Sequence, residues 1–245
     1  MTAAAPTILA TCGGLNPGTW TDAVYGPLLT HALSLARPSG RPRVAHINTA
    51  GGDQRFVEGQ ELEAARMAGV DASHLRLFPR RNVDDLESYL LSQDVVWVSG
   101  GSVVNLLAVW RAHGLDEILR RAWLAGVVLA GGSAGALCWH SGGVTTSYGP
   151  RVAAASDGLG FLSNSLAVHY DSDAGRRPEF ERAISAGELV PGFALEEGTG
   201  IVYRGTEPVD FVTETAGQRI YSVSADGEAP IDTRLLEELH ATATS

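Results

Sequence analysis

The stretch Val127-Val128-Leu129-Ala130-Gly131-Gly132-Ser133-Ala134-Gly135-Ala136-Leu137-Cys138-Trp139 decides the fold. It begins as a short apolar run suited to a strand buried on both faces, breaks at paired glycines, and resumes with small and apolar residues suited to a helix. Ser133 stands at the corner. In the pattern Gly131-x-Ser133-x-Gly135 the glycines permit a turn too tight for side chains and lift the hydroxyl above the sheet, which is the form of a nucleophile elbow. The amide of Ala134, at the positive end of the following helix, can donate to an oxyanion formed when Ser133 attacks a carbonyl. A glycine-rich turn in which Ser133 only caps a helix has the same pattern, so both readings stay open on these residues alone.

Working outward, strand and helix patterns alternate. Thr7 to Cys12, Arg43 to Thr49, His74 to Phe78 and Asp94 to Ser99 read as strands. Thr19 to Ala36, a segment capped by Asp53 and running to Met67, Asn82 to Leu91, and Leu115 to Ala125 read as helices. This alternation predicts a mostly parallel sheet covered on both faces, in a single α/β domain spanning residues 1–245. After the elbow helix, on which His140 is also expected, Leu166 to His169 reads as a short strand and Asp171 to Gly187 contains a helix. Phe193 to Glu197, Gly200 to Arg204, Val209 to Val212 and Ile220 to Ser224 read as antiparallel hairpin strands, and Asp232 to His240 as a last helix.

Composition narrows the function. The 245 residues carry a net charge of −10 and no basic run, which disfavours nucleic acid and anionic lipid as partners. All 18 basic residues are arginines, so lysine chemistry such as Schiff bases, a pyridoxal-phosphate anchor or a P-loop lysine is absent. The two cysteines, Cys12 and Cys138, fit buried thiols in a reducing compartment. No apolar stretch reaches membrane-spanning length and no signal peptide is evident, so a cytoplasmic protein is expected. No histidine pair has metal-ligand spacing, and neither a metal nor a cofactor is expected.

A serine nucleophile needs a base and a group to orient it. Of seven histidines, His169 closes a strand beyond the elbow and is followed by Asp171 and Asp173, whereas His31, His46, His74 and His113 fall in helix or strand bodies. Glu196 and Glu197 point to opposite faces, so only one can serve as the third member, and Glu197 is the candidate. Amides freed by Gly100 and Gly101 can face Ser133 from the neighbouring strand end. Arg176 and Arg177 are candidates for gripping a substrate carboxylate.

Four blocks appear together and in order: Ser99-Gly-Gly-Ser-x-x-Asn-Leu-Leu to Trp110-Arg111, Leu129-Ala-Gly-Gly-Ser-Ala-Gly-Ala136, Val168-His-Tyr-Asp171 with Arg176-Arg177, and Glu196-Glu197-Gly198. They resemble the peptidase E and cyanophycinase family of serine peptidases, over nearly the whole chain. The resemblance implies a three-layer α/β/α sandwich of the class I glutamine amidotransferase-like kind, with Ser133 as nucleophile, His169 as base, and Gly100, Gly101 and Ala134 around the oxyanion. It implies a short peptide as substrate, with acidic residues among the candidates because family members cleave aspartate-containing peptides, and a homodimer is a candidate assembly. Peptidase E carries an aspartate after the elbow helix, where this chain reads Val144-Thr-Thr-Ser-Tyr148, so the third role passes to Glu197. Two other readings remain. One is an α/β-hydrolase esterase with His240 as base, and the other is a non-catalytic binder of a small ligand.

Overall fold

The computed structural model describes residues 5–236. Strand β1 (Thr7–Cys12) is buried along its whole length and is followed by a ribbon of β2 (Leu15–Asn16) and β3 (Val24–Tyr25). Helix α1 (Pro27–Ala36) has Pro27 in its first turn, where the missing N–H costs no intrahelical bond. The helix expected from Thr19 thus starts only at the proline, the ribbon taking the preceding residues.

Then come β4 (Arg43–Ile47), α2 (Arg55–Met67), β5 (Asp71–Leu75), α3 (Leu86–Leu91), β6 (Val95–Val98), α4 (Val103–His113), α5 (Leu115–Leu124) and β7 (Val128–Gly132). Each helix shows why it packs: α5, for example, buries Leu115, Leu119, Ala122 and Trp123, one stripe at helical spacing. Asp53 does not cap α2. It sits at φ 51° and its carboxylate accepts the backbone N–H groups of Leu77 and Phe78 at 2.6 and 2.9 Å, pinning the loop after β5.

Helix α6 (Ala134–Leu137) is a single turn, and here the chain departs from expectation. His140, expected on this helix, begins strand β8 (His140–Thr145), which with β9 (Ala153–Ala155), β10 (Leu162–Ala167), β11 (Gly192–Leu195), β14 (Ile220–Ser224) and β15 (Gly227–Ile231) builds a second, six-stranded sheet. In it β8, β10 and β11 run parallel and the others pair antiparallel. Helix α7 (Arg176–Ser185) connects β10 to β11. Strands β12 (Thr199–Arg204) and β13 (Glu207–Thr213) return to the first sheet, with β12 antiparallel to β1. The expected hairpin strands are therefore divided between two sheets. Residues 232–236, expected to open a helix, are not helical, and Arg234–Leu235 forms strand β16 beside β13; residues 237–240 of that expected helix lie outside the described residues.

The first sheet has the order β16-β13-β12-β1-β7-β6-β4-β5, its five strands from β1 to β5 mutually parallel. One face, with Leu9, Val95 and Val128, packs on Leu28, Leu29 and Ala32 of α1 and Ala65 of α2. The other, with Ile8, Val96 and Leu129, packs on α3 to α6 and meets Leu162, Leu166 and Ile220 of the second sheet. The far face of that sheet closes on Phe180, Ala183 and Ile184 of α7. The fold is α/β with a mostly parallel central sheet. The carboxyl ends of β1, β7, β6 and β4 lie along one edge, where ligands gather in sheets of this kind.

Candidate active site

Ser133 occupies the corner between β7 and α6 at φ 56°, ψ −113°, a conformation that costs a non-glycine residue about 1–3 kcal/mol. The corner is held from both sides. The amide of Ser133 donates to Thr11 O at 3.1 Å, and the Thr11 hydroxyl donates to Gly131 O at 3.0 Å, so β1 clamps the turn. Gly135 packs so close to β6 that an added Cβ would lie 2.0 Å from Val98 O, which explains the small residues of the sequence motif.

His169 lies two residues past β10, also at positive φ (58°). Its Nε2 is 2.9 Å from Ser133 Oγ and its Nδ1 is 2.5 Å from Glu197 Oε1. An ionised carboxylate only accepts, so Nδ1 carries the proton and Nε2 is left to accept the serine O–H. Glu197 is in that state. Partial burial pushes its carboxyl up, but the hydrogen bonds from His169 and from the Ser172 hydroxyl (2.7 Å) outweigh it and hold the group below the ordinary value. The backbone N–H of Glu197 donates to Asp171 Oδ1 at 2.9 Å, and Gln218 holds the other oxygen of Asp171 at 3.0 Å. Asp171 therefore supports the loop that carries Glu197.

Glu196 faces the other way, accepting from the backbone N–H of Arg219 at 2.7 Å and from the Tyr221 hydroxyl at 3.1 Å. A Cβ at Gly100 would stand 3.2 Å from Ser133 Cβ, whereas Gly101, at φ 137°, is pressed on Ala50, with Ala50 O 2.4 Å from where a Cβ would be. Of the two, Gly100 adjoins the serine and Gly101 makes the turn. Ala134 is the first residue of α6, where a helix amide has no intrahelical acceptor. The Val144 to Tyr148 stretch, which lacks an acid, instead caps α4: Ser147 Oγ accepts the Val103 N–H at 3.0 Å.

The structure does not bring Arg176 and Arg177 to this cavity. Arg176 is buried, donating to Val144 O at 2.7 Å and to Asp173 at 3.1 Å. Arg177 pairs with Glu228 and lies 4.5 Å from the ring centre of Tyr170 and 5.0 Å from that of Tyr221. Both guanidinium groups are taken up by the second sheet and its helix. His240, the base required by an esterase reading, lies outside the described residues, and His169 fills the position beside the serine.

Two participants were not singled out from the sequence. Cys12, read there as an inert buried thiol, ends β1 directly beside the site, with Sγ 3.3 Å from Glu197 Oε2; its place at a strand end before Gly13-Gly14 was the available signal. Ser172 had none, since serine is ordinary in a loop. The cavity in front of Ser133 has a volume of about 340 Å³ and is walled by Gly13, Leu15, Val57, Trp97 and Gly100 together with Glu61.

A serine hydroxyl, an imidazole and a carboxylate joined in series at the carboxyl edge of a mostly parallel sheet define an arrangement of the serine-hydrolase type. The sequence profile described as Peptidase family S51 matches residues 19–209, and the chain belongs to that family of serine peptidases. It is 39% identical over 183 residues to the uncharacterized peptidase YgaJ of Bacillus subtilis (strain 168), covering 75% of this chain and 78% of that protein. In fold it is similar to a peptidase from an acI-B1 Actinobacterium, with a TM-score of 0.64 at 18% identity, over 94% of this chain and 95% of the other. It is also similar to a candidate peptidase E protein from Listeria monocytogenes EGD-e, with a TM-score of 0.60 at 17% identity, over 86% and 100%. Among the described residues no helix is long and apolar enough to cross a membrane.

Proposed function

We propose that this peptidase hydrolyses short peptides through an acyl-enzyme on Ser133, presented on a nucleophile elbow. The observation that carries the reading is the unbroken relay of Ser133 Oγ to His169 Nε2 at 2.9 Å and His169 Nδ1 to Glu197 Oε1 at 2.5 Å. His169 takes the proton from Ser133 as the hydroxyl attacks the scissile carbonyl, then returns it to the leaving amine. Glu197 keeps the imidazole in the useful tautomer and stabilises its cationic form. The amides of Ala134 and Gly100 are the oxyanion donors in this reading, because the Ser133 amide is already spent on Thr11. Water deacylates the enzyme with His169 as base.

The cavity is at the small end of the roughly 300–1,000 Å³ usual for small-molecule sites, which favours a short peptide over a protein loop. Leu15, Val57 and Trp97 give it an apolar wall, and no arginine lines it among the described residues. The reading therefore commits to peptides with an apolar or neutral residue at the cleaved bond, not to acidic ones. Incubation with a dipeptide and tripeptide panel, alongside a fluorophosphonate probe, tests it. Labelling and cleavage that both vanish in Ser133→Ala support the proposal; labelling that survives in the folded variant overturns it.

A further inference from the structure

Behind the cavity wall formed by Glu61 and Ser99 lies a second convergence of side chains. His46 and His74 are register partners on the adjacent parallel strands β4 and β5, and their rings stack with centroids 5.3 Å apart. Glu61 reaches between them from α2. His46 Nδ1 is 3.6 Å and His74 Nε2 is 3.1 Å from the same oxygen, Glu61 Oε2, and the three side chains are 0%, 2% and 0% exposed.

His46 Nδ1 and the buried Oδ1 of Asn48 have no hydrogen-bond partner, and His74 Nε2 meets only Glu61 Oε2, the same oxygen that accepts from Asn48 Nδ2 at 2.8 Å. Buried polar atoms left without partners are costly and rare, so His46 Nδ1, converging with His74 Nε2 on one carboxylate oxygen, calls for something that binds it. The three candidate donor atoms, His46 Nδ1, His74 Nε2 and a Glu61 oxygen, lie within 4.8 Å of one another. A tetrahedral Zn²⁺ with ligands at about 2.0–2.2 Å sets ligand-to-ligand edges of about 3.3–3.6 Å, and the separations of 3.1 and 3.6 Å bracket that range.

The outer contacts match as well. His46 Nε2 is 2.6 Å from the Tyr25 hydroxyl, and Glu61 Oε1 accepts from Ser99 Oγ at 2.6 Å, as the second partners of metal-bound imidazoles and carboxylates do. Two imidazoles and a carboxylate suit zinc or a similar first-row divalent ion.

We propose that His46, Glu61 and His74 form a structural Zn²⁺ site. The ion ties β4, β5 and α2 together and fixes Glu61, whose other oxygen holds Ser99 at the head of the Gly100 turn. Full burial fits a closed site that takes its metal during folding, and the 27 residues between the histidines hide it from spacing motifs.

The test is chelator stripping of the full chain, followed by Zn²⁺ titration against a chromophoric competitor and thermal melts with and without metal. The expected result is one tight equivalent and a melting temperature raised by several degrees. Co²⁺ loading should give visible ligand-field bands of a nitrogen and oxygen ligand set without a thiolate charge-transfer band. That distinguishes it from Cys12, His169 and Glu197, which also bring ligand atoms within 4.8 Å of one another. Binding should persist in Cys12→Ala and vanish in His74→Asn. No tight equivalent and no melting shift in the unmodified protein overturns the proposal, whatever the variants do. A cobalt complex with a thiolate band, retained in His74→Asn, overturns it too.

Discussion

The thiol of Cys12 donates to Glu197 Oε2 across 3.3 Å, while its sulfur accepts the backbone N–H of His169 at 3.3 Å. One side chain of β1 thus touches both partners of the serine. Burial, reinforced by the nearby carboxylate of Glu197, pushes the thiol far above its usual range, so it remains S–H and does not compete as a nucleophile. Cys12→Ala should keep the fold and lower kcat about tenfold or less, the scale of the roughly 0.5–1.5 kcal/mol that one ordinary hydrogen bond contributes, since a thiol is a weak donor. In the native protein Cys12 should resist maleimide while the denatured chain reacts at once; fast native labelling would contradict the assignment.

The order of losses along the relay is a sharper check. Removing Ser133 or His169 should each cost on the order of 10⁶ in kcat, since parts of one unit fail together. Glu197→Gln should cost less, because the amide still accepts from His169 but no longer balances an imidazolium. Glu196→Gln should leave steady-state rates nearly unchanged, its carboxylate being engaged with Arg219 and Tyr221. Equal losses at the two glutamates would mean that the loop, not the charge of Glu197, matters.

His140 predicts a pH dependence of stability. It is fully buried, its two nitrogens engaged by Ala136 O at 3.0 Å and Tyr203 Oη at 3.2 Å, and burial lowers its pKa to about 4. Above pH ~6.5 it is neutral folded or unfolded and contributes no slope. As pH falls below ~6.5, the unfolded chain binds a proton that the folded one refuses. Stability is then lost at about 1.4 kcal/mol per pH unit, about 3 kcal/mol in all, levelling off below the folded pKa. Urea unfolding at pH 7 and pH 5, compared between the wild type and His140→Phe, should show a smaller fall in the variant. Parallel falls would show that His140 does not titrate as described.

Arg176→Ala and Arg177→Ala should lower thermal stability without changing the preference between acidic and neutral peptides. Arg176 holds the start of α7 to β8 through Val144 O, and Arg177 joins that helix to Glu228 on β15. A loss confined to acidic substrates would return these arginines to the substrate.

The central sheet and the corner at Ser133 were legible because both depend on local pattern: apolar runs between glycine turns, and small residues forced by the approach to Val98. Strand alternation showed that only one of Glu196 and Glu197 can face Ser133, and the choice of Glu197 rested on its place at the turn and on the family resemblance. The second sheet was not legible. Four of the six residues from His140 to Thr145 are glycine, serine or threonine, and its pairing with β10 and β9 depends on residues further along the chain. The two arginines misled because a guanidinium suits a substrate carboxylate and an internal carbonyl equally well, and only packing shows which it has met. His46 and His74 read as packing residues because their meeting depends on which strands are neighbours, and spacing alone does not encode that.

The three members of the relay reside on different parts of the architecture: Ser133 closes a strand of the first sheet, His169 follows a strand of the second, and Glu197 lies on the crossing from one to the other. An emerging nascent chain cannot assemble the proposed relay until the last of these, residue 197, has left the ribosome and the two sheets have docked. On that reading the site stays incomplete throughout most of the chain's own synthesis, while its unfolded segments are still exposed.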